Sequence, residues 1–248
     1  MKRGGVSLMK NLIVVLMVMV LSQGAHARQL QGDQKAAEAN VPIVNWTSQK
    51  TAVTHTFVRP DPAEYMKASN ENKRVMRGKI VLDGLTVEFY EQPKDIDFYD
   101  STLEVKRQGE VSRSYNVGEL IKHQALSLVH VALIPSSAGS GMLVCEYEGG
   151  ATGAREGFAI LRFSPAGVEL HTLPLTDYGK VVVFKSKPER AEIWSSLEDG
   201  AGAAAAPKAY ATRSCRWSAE GYACGPPKRK PGHFSPTDIN DPGIEIRP

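Results

Sequence analysis

Cysteine is scarce in this 248-residue chain, with three residues, and histidine numbers only six. So few cysteines exclude the disulfide-dense miniature scaffolds of secreted proteins. No two histidines share a metal-ligand spacing such as four apart on a helix, which argues against zinc. An excess of one charge is missing too: Lys2, Arg3 and Lys10 account for the whole formal charge of +3, leaving 27 basic against 27 acidic side chains from residue 28 onward. Nucleic-acid binding rests on surplus Lys and Arg near phosphates, so no nucleic acid is expected as a partner. After residue 21 no apolar run approaches the roughly 20 residues that cross a bilayer as a helix, so the chain is not expected to span a membrane.

What is present begins with a leader. The first ten residues carry only positive charge, residues 12–21 are an unbroken apolar run of ten, and Ala25-His26-Ala27 places small residues where a signal peptidase reads. The sequence predicts a signal peptide cleaved after Ala27 and a periplasmic or secreted mature protein, with residues 28–40 as a flexible arm. In an oxidising compartment one cysteine pair is expected. Cys215 and Cys224 flank eight residues with Glu220-Gly221 as a turn, so a cross-linked hairpin is predicted, docking as a last sheet element through Trp217. Cys145, in the strand-like Met142-Leu-Val-Cys-Glu-Tyr147, reads as a small buried hydrophobe. Its neighbours Glu146 and Glu148 would raise a thiol pKa rather than activate it.

Most of the chain carries a β pattern. Residues 41–58 are rich in β-branched side chains. Asp61 then stands where it can cap a short helix opened by Pro62 and running through Met66. Asp83-Gly84 and Gln108-Gly109 separate alternating runs and predict hairpins, the second returning through Val111. Residues 128–134, 142–145, 158–161 and 181–184 are nearly continuous apolar runs, as in strands buried on both faces. Residues 135–141, Gly149-Gly150 and residues 164–167 read as reversals between them. The predicted fold is all-β, antiparallel hairpins forming a sandwich or partial propeller-like domain over residues 41–224. A small-residue linker at 199–207 interrupts it and a Pro-rich tail, residues 225–248, follows. The tail end, Gly243-Ile-Glu-Ile-Arg-Pro248, alternates like an edge strand able to join a sheet of this protein or of another.

Candidate chemistry is sparse. Asp95, Asp97 and Asp100 lack the tight alternation and pivotal Gly of a calcium loop and read as a wet strand face. His130, inside an apolar run, reads as a hydrogen-bonded interior histidine. Ser136, Ser137 and Ser140 sit in a Gly-Ser stretch without the strand, elbow and helix of a nucleophile turn. Gly149, Gly150, Gly153 and Gly157 are not followed by the Lys-Ser/Thr of a phosphate loop, so neither cofactor nor metal is expected. Lys228-Arg-Lys230 is a local basic cluster able to touch anionic lipid or cell-wall polymer.

The segment Gly141-Met-Leu-Val-Cys-Glu-Tyr-Glu-Gly-Gly150 with Phe158-Ala-Ile-Leu-Arg-Phe163 resembles the blade-like segments of secreted bacterial proteins related to β-propellers. The Cys215-Arg-Trp and Gly221-Tyr-Ala-Cys-Gly-Pro-Pro227 motifs resemble uncharacterised exported bacterial proteins. That resemblance implies export and a disulfide, and attaches no activity. The functional expectation is a non-enzymatic binding module for a protein or cell-envelope partner, with Gly149, Gly150, Ile244 and Ile246 as interaction residues. Two alternatives stand beside it: an inhibitor or immunity protein of an envelope hydrolase, and a glycan hydrolase using carboxylates from Glu88, Glu91, Asp95 and Asp97. The oligomeric state is left open.

Overall fold

The computed structural model describes residues 41–58, 61–95, 98–121, 126–137, 139–149, 154–174, 179–197, 209–232 and 243–248. Two compact units divide the chain, Met1–Val41 and Pro42–Pro248, and the fold below is that of the second. Asp61 caps a first helix, α1 (Pro62–Asn70), by accepting from the Ala63 N–H at 2.8 Å, with Pro62 in the first turn as its fixed φ favours. The helix runs one turn past the expected Met66 and buries Tyr65 and Ala68, three apart on one face. A second helix, α2 (Val117–Ile121), is a single turn.

The strands form three sheets. The first orders β1 (Ile43–Asn45), β3 (Val75–Leu82), β4 (Leu85–Asp95), β5 (Phe98–Arg107) and β6 (Arg113–Asn116) in that sequence across the sheet. The second runs β10 (Gly167–Pro174), β9 (Ala154–Ser164), β8 (Ser140–Gly149), β7 (Leu126–Ser137) and β2 (Val53–Thr56). The third runs β14 (Gly221–Cys224), β13 (Ala209–Ser218), β12 (Arg190–Leu197), β11 (Lys180–Phe184) and β16 (Ile244–Arg247), with β15 (Lys228–Pro231) also on β13. Sequential neighbours pair antiparallel, while β1 and β16, each at a sheet edge, pair parallel.

Alternation along the middle sheet explains the stack. Val131, Leu133, Leu143, Cys145, Tyr147, Ala159 and Leu161 face one core, shared with Ile80, Val87, Phe89 and Leu103 of the first sheet. The intervening Ala132, Ile134, Met142, Val144, Phe158 and Ile160 face a second core, shared with Val181, Val183, Ile193 and Ile244 of the third. The middle sheet is thus buried on both faces, which accounts for its continuous apolar runs. Each such Leu, Ile or Val contributes about 1.5–3 kcal/mol on burial. The protein is an all-β sandwich without a closed barrel. A register shift between Leu128 and His130 puts Leu128 in the same core as Val131 despite the odd spacing.

Several local expectations need correcting. Val111 is 89% exposed in the connection, and the return strand β6 begins at Arg113. The expected 135–141 loop is mostly strand, with Ser137 opposite Ser140 and Gly139 at φ 69°. The Asp83-Gly84 hairpin, by contrast, forms as expected, with Leu82 opposite Leu85 and, of its two turn residues, Gly84 at positive φ. Two described stretches of the Pro-rich tail add strands to the third sheet, β15 to β13 and β16 to β11, and β15 is separated from β14 on the same edge of β13 by Pro226 and Pro227, which have no N–H to donate. The linker 199–207 and the arm 28–40 lie outside the described residues.

Candidate functional site

A cleft of about 390 Å³ opens where the turn ends of the first two sheets meet. Its floor is apolar. Trp46 follows β1 and is pinned by its N–H to the Val81 carbonyl at 2.9 Å. Leu82 ends β3, Leu133 comes from β7 and Phe163 from β9. Phe163 reaches this position because Gly141 opposite it carries no side chain: a Cβ there would lie 2.8 Å from the Phe163 ring. The rim is polar. Ser48, at φ 60°, donates its N–H to both Asp83 carboxylate oxygens at 3.1 and 3.2 Å, fixing the β1–β2 connection beside the β3–β4 turn. Gln49, Lys50, Ser136, Ser137 and Ser140 complete the rim. The site therefore offers an apolar socket for a ring or branched side chain, ringed by hydroxyls, one ammonium and one carboxylate. Such a combination anchors and orients a ligand. The serines are the cluster noticed in the sequence, here with no histidine among the cleft-lining residues.

The sequence-predicted residues scatter. Gly149 closes β8, buried and opposite Ala154, while Gly150 lies outside the described residues. Ile244 and Ile246 belong to β16 and face the second core, so the tail end has added to this protein's own sheet, of which it forms an edge. Cys215 and Cys224 sit directly opposite across β13 and β14 and form the disulfide. Trp217 and Tyr222 pack edge to face at 5.0 Å and His171 of β10 packs on Trp217 at 4.8 Å, docking this hairpin. Cys145 is fully buried, and burial pushes its thiol well up from its ordinary value. His130 is buried with Nδ1 2.9 Å from the Thr56 hydroxyl, as an interior histidine should be.

The carboxylates do not converge. Glu88 and Glu91, three apart on β4, point to opposite faces of the sheet. Glu88 takes the Lys106 ammonium at 2.5 Å, the Tyr90 hydroxyl at 2.8 Å and the Lys79 ammonium at 3.2 Å. Burial opposes its ionisation, but Lys106, Tyr90 and Lys79 outweigh that and hold its carboxyl below the usual range. Glu91 is buried against Arg77, Tyr65, Ser127 and the Leu128 N–H. Asp100 pairs with Lys94 at 2.5 Å, while the Asp95 side chain and Asp97 lie outside the described residues. Among the described residues no three His, Cys, Asp or Glu gather as a metal would require. None of their helices is long and apolar enough to cross a membrane.

Sequence reasoning missed Trp46 and Lys50, from the β1–β2 connection, as neighbours of Phe163, since more than a hundred residues separate the two segments. The one available signal was a lone Trp ahead of a polar stretch, Thr47-Ser-Gln-Lys50. No protein-family model, curated protein or solved structure matches this chain.

Proposed function

We propose that the chain is a non-enzymatic binding module, exported by cleavage after Ala27. Its cleft takes an extended segment of a partner protein at the cell envelope, anchored by one apolar side chain. The observation that carries this reading is the cleft itself, an apolar floor of Trp46, Leu82, Leu133 and Phe163 under a rim of hydroxyls and two opposite charges. Its volume of about 390 Å³ lies near the small end of ligand sites, suited to one or two residues rather than a large cofactor. The Cys215–Cys224 disulfide supports a compartment where disulfides persist.

Selection from a random peptide library displayed on phage tests the reading, with the purified chain as bait. Enriched peptides share one aromatic or branched anchor, and Ser136→Trp, which fills the cleft from its rim, abolishes their binding while leaving the fold intact. Enrichment of peptides without such an anchor, or binding unchanged in S136W, overturns it. If the captured partner is a hydrolase inhibited at one-to-one stoichiometry, the module is an inhibitor acting through this cleft.

A further inference from the structure

We propose that the partner segment pairs through its backbone with the open end of β7, adding a strand to the middle sheet in line with β2; this rests on the cleft being a peptide site and says how it holds the peptide. β7 runs on to Ser137, but β2 pairs with it from His130 only as far as Leu133, which lies opposite Val53. Before Val53 the chain bends away at Thr51 into the β1–β2 connection, whose Ser48, Gln49 and Lys50 form the facing wall of the cleft. Pro135 and Ser137 pair with β8 on one side, and with Ser136 they border the cleft on the other. Ser136 and Ser137 are exposed. At about 3.3 Å per residue this edge is roughly 10 Å long, enough for three residues of an extended peptide.

The backbone groups along this edge have fixed directions. The Phe57 N–H reaches the Val129 carbonyl at 2.8 Å, so the carbonyls of Val129 and, by alternation, Val131 and Leu133 point toward β2. The Ile134 carbonyl lies on the β8 side, 2.9 Å from where a Cβ on Gly141 would stand. The Pro135 carbonyl, next along the strand, therefore faces the cleft. Proline suits this position, because the N–H it lacks would also point to the open edge and β8 does not need it. The side chains agree. Val53 packs on the first core, the same core to which the floor residues Trp46, Leu82, Leu133 and Phe163 belong. A peptide residue opposite Pro135, two places further along the line of β2, turns its side chain onto that floor while its own N–H donates to the Pro135 carbonyl.

The rim adds a preference of charge. Asp83 already holds the Ser48 N–H with both carboxylate oxygens. Lys50 is exposed, with no ion-pair partner among the described residues. The partner that fits is an extended strand with an apolar anchor other than proline and an acidic side chain beside it, backbone pairing giving affinity and the socket giving specificity.

The probe is a nine-residue peptide, blocked at both ends, of threonine with a glutamate on each side of a central phenylalanine. NMR titration of the purified chain reads its binding at the Trp46 indole N–H. The peptide is expected to shift that resonance saturably, and its alanine counterpart at the centre is expected to leave it in place. A methyl on the phenylalanine backbone nitrogen removes the donor to Pro135 and weakens binding by roughly tenfold. A methyl on the next nitrogen, which points away from β7, has a much smaller effect. Lys50→Glu reverses the preference for glutamate over lysine beside the anchor. Equal effects of the two methyl groups, or none from the first, overturn strand addition, and the cleft reading stands if the phenylalanine is still required. A parent peptide that does not bind also overturns strand addition, and the phage selection then judges the cleft by itself. Indifference of K50E to peptide charge overturns the acidic preference.

Discussion

Arg77 and Glu91 form an ion pair in which each side chain is only 1% exposed, Nε to Oε1 at 3.2 Å. Around it the Leu128 N–H and Ser127 hydroxyl donate to the same carboxylate at 2.8 and 3.1 Å, and the Tyr65 hydroxyl donates to its other oxygen. Arg77 in turn donates to the Leu128 carbonyl at 3.2 Å. The cluster ties α1, the first sheet and the middle sheet together. Glu91→Ala would strand a buried guanidinium, a change that typically costs about 3–5 kcal/mol. The three orphaned donors each add about 1 kcal/mol. An expected loss of about 5 kcal/mol, allowing for overlap between these terms, is a third or more of the roughly 5–15 kcal/mol of a typical domain. Arg77→Met leaves a carboxylate that still has three donors, so about 3 kcal/mol is expected. The double variant R77M/E91M removes both charges and restores apolar packing, and should cost at least about 2 kcal/mol less than the sum of the single losses. Urea unfolding followed by tryptophan fluorescence reads these values. With a slope of about 2.5 kcal/mol per molar, Glu91→Ala moves the midpoint down by about 2 M. Additive single losses, or a Glu91→Ala cost below about 1 kcal/mol, would refute the reasoning.

Three further outcomes are expected. Gly78→Ala drives a Cβ to 2.1 Å from the Phe57 ring and should lower thermal stability by about 1–3 kcal/mol, with Phe57→Leu in the same chain recovering part of it by calorimetry. Removing the disulfide as C215S/C224S should cost about 2–3 kcal/mol in urea unfolding, and Cys145 should resist a thiol reagent until the chain unfolds. Because its folded pKa lies below the ordinary 4.5, Glu88 contributes stability at neutral pH that is lost as pH falls through that folded value. An acid series of melting temperatures should therefore steepen below pH 4.5, and K79M/K106M should flatten that limb.

Much of the fold was legible because local chemistry carried it. Asp61-Pro62 announced α1, Asp83-Gly84 a hairpin, and the unbroken apolar runs a sheet covered on both faces. Val111 misled because its single apolar side chain sat beside a true turn, where alternation cannot distinguish the last loop residue from the first strand residue. The tail was ambiguous for a different reason. Its alternation specifies an edge strand but not whose sheet it joins, and only the parallel pairing of Ile244 with Val181 decides that. Glu88 and Glu91 looked alike in sequence, yet opposite strand faces gave one two lysines and a tyrosine hydroxyl and the other a buried guanidinium. The cleft escaped because its floor draws on residues as far apart as Trp46 and Phe163.

The most direct test of a protein-binding cleft is site-specific photocross-linking in cells that produce the chain. A benzophenone side chain would be placed at Ser136 on the cleft rim and, as a control, at exposed Ser112 in the β5–β6 connection. A discrete adduct with one protein from Ser136, absent from Ser112, is the predicted result. No adduct from Ser136, or the same adducts from both positions, would contradict the account.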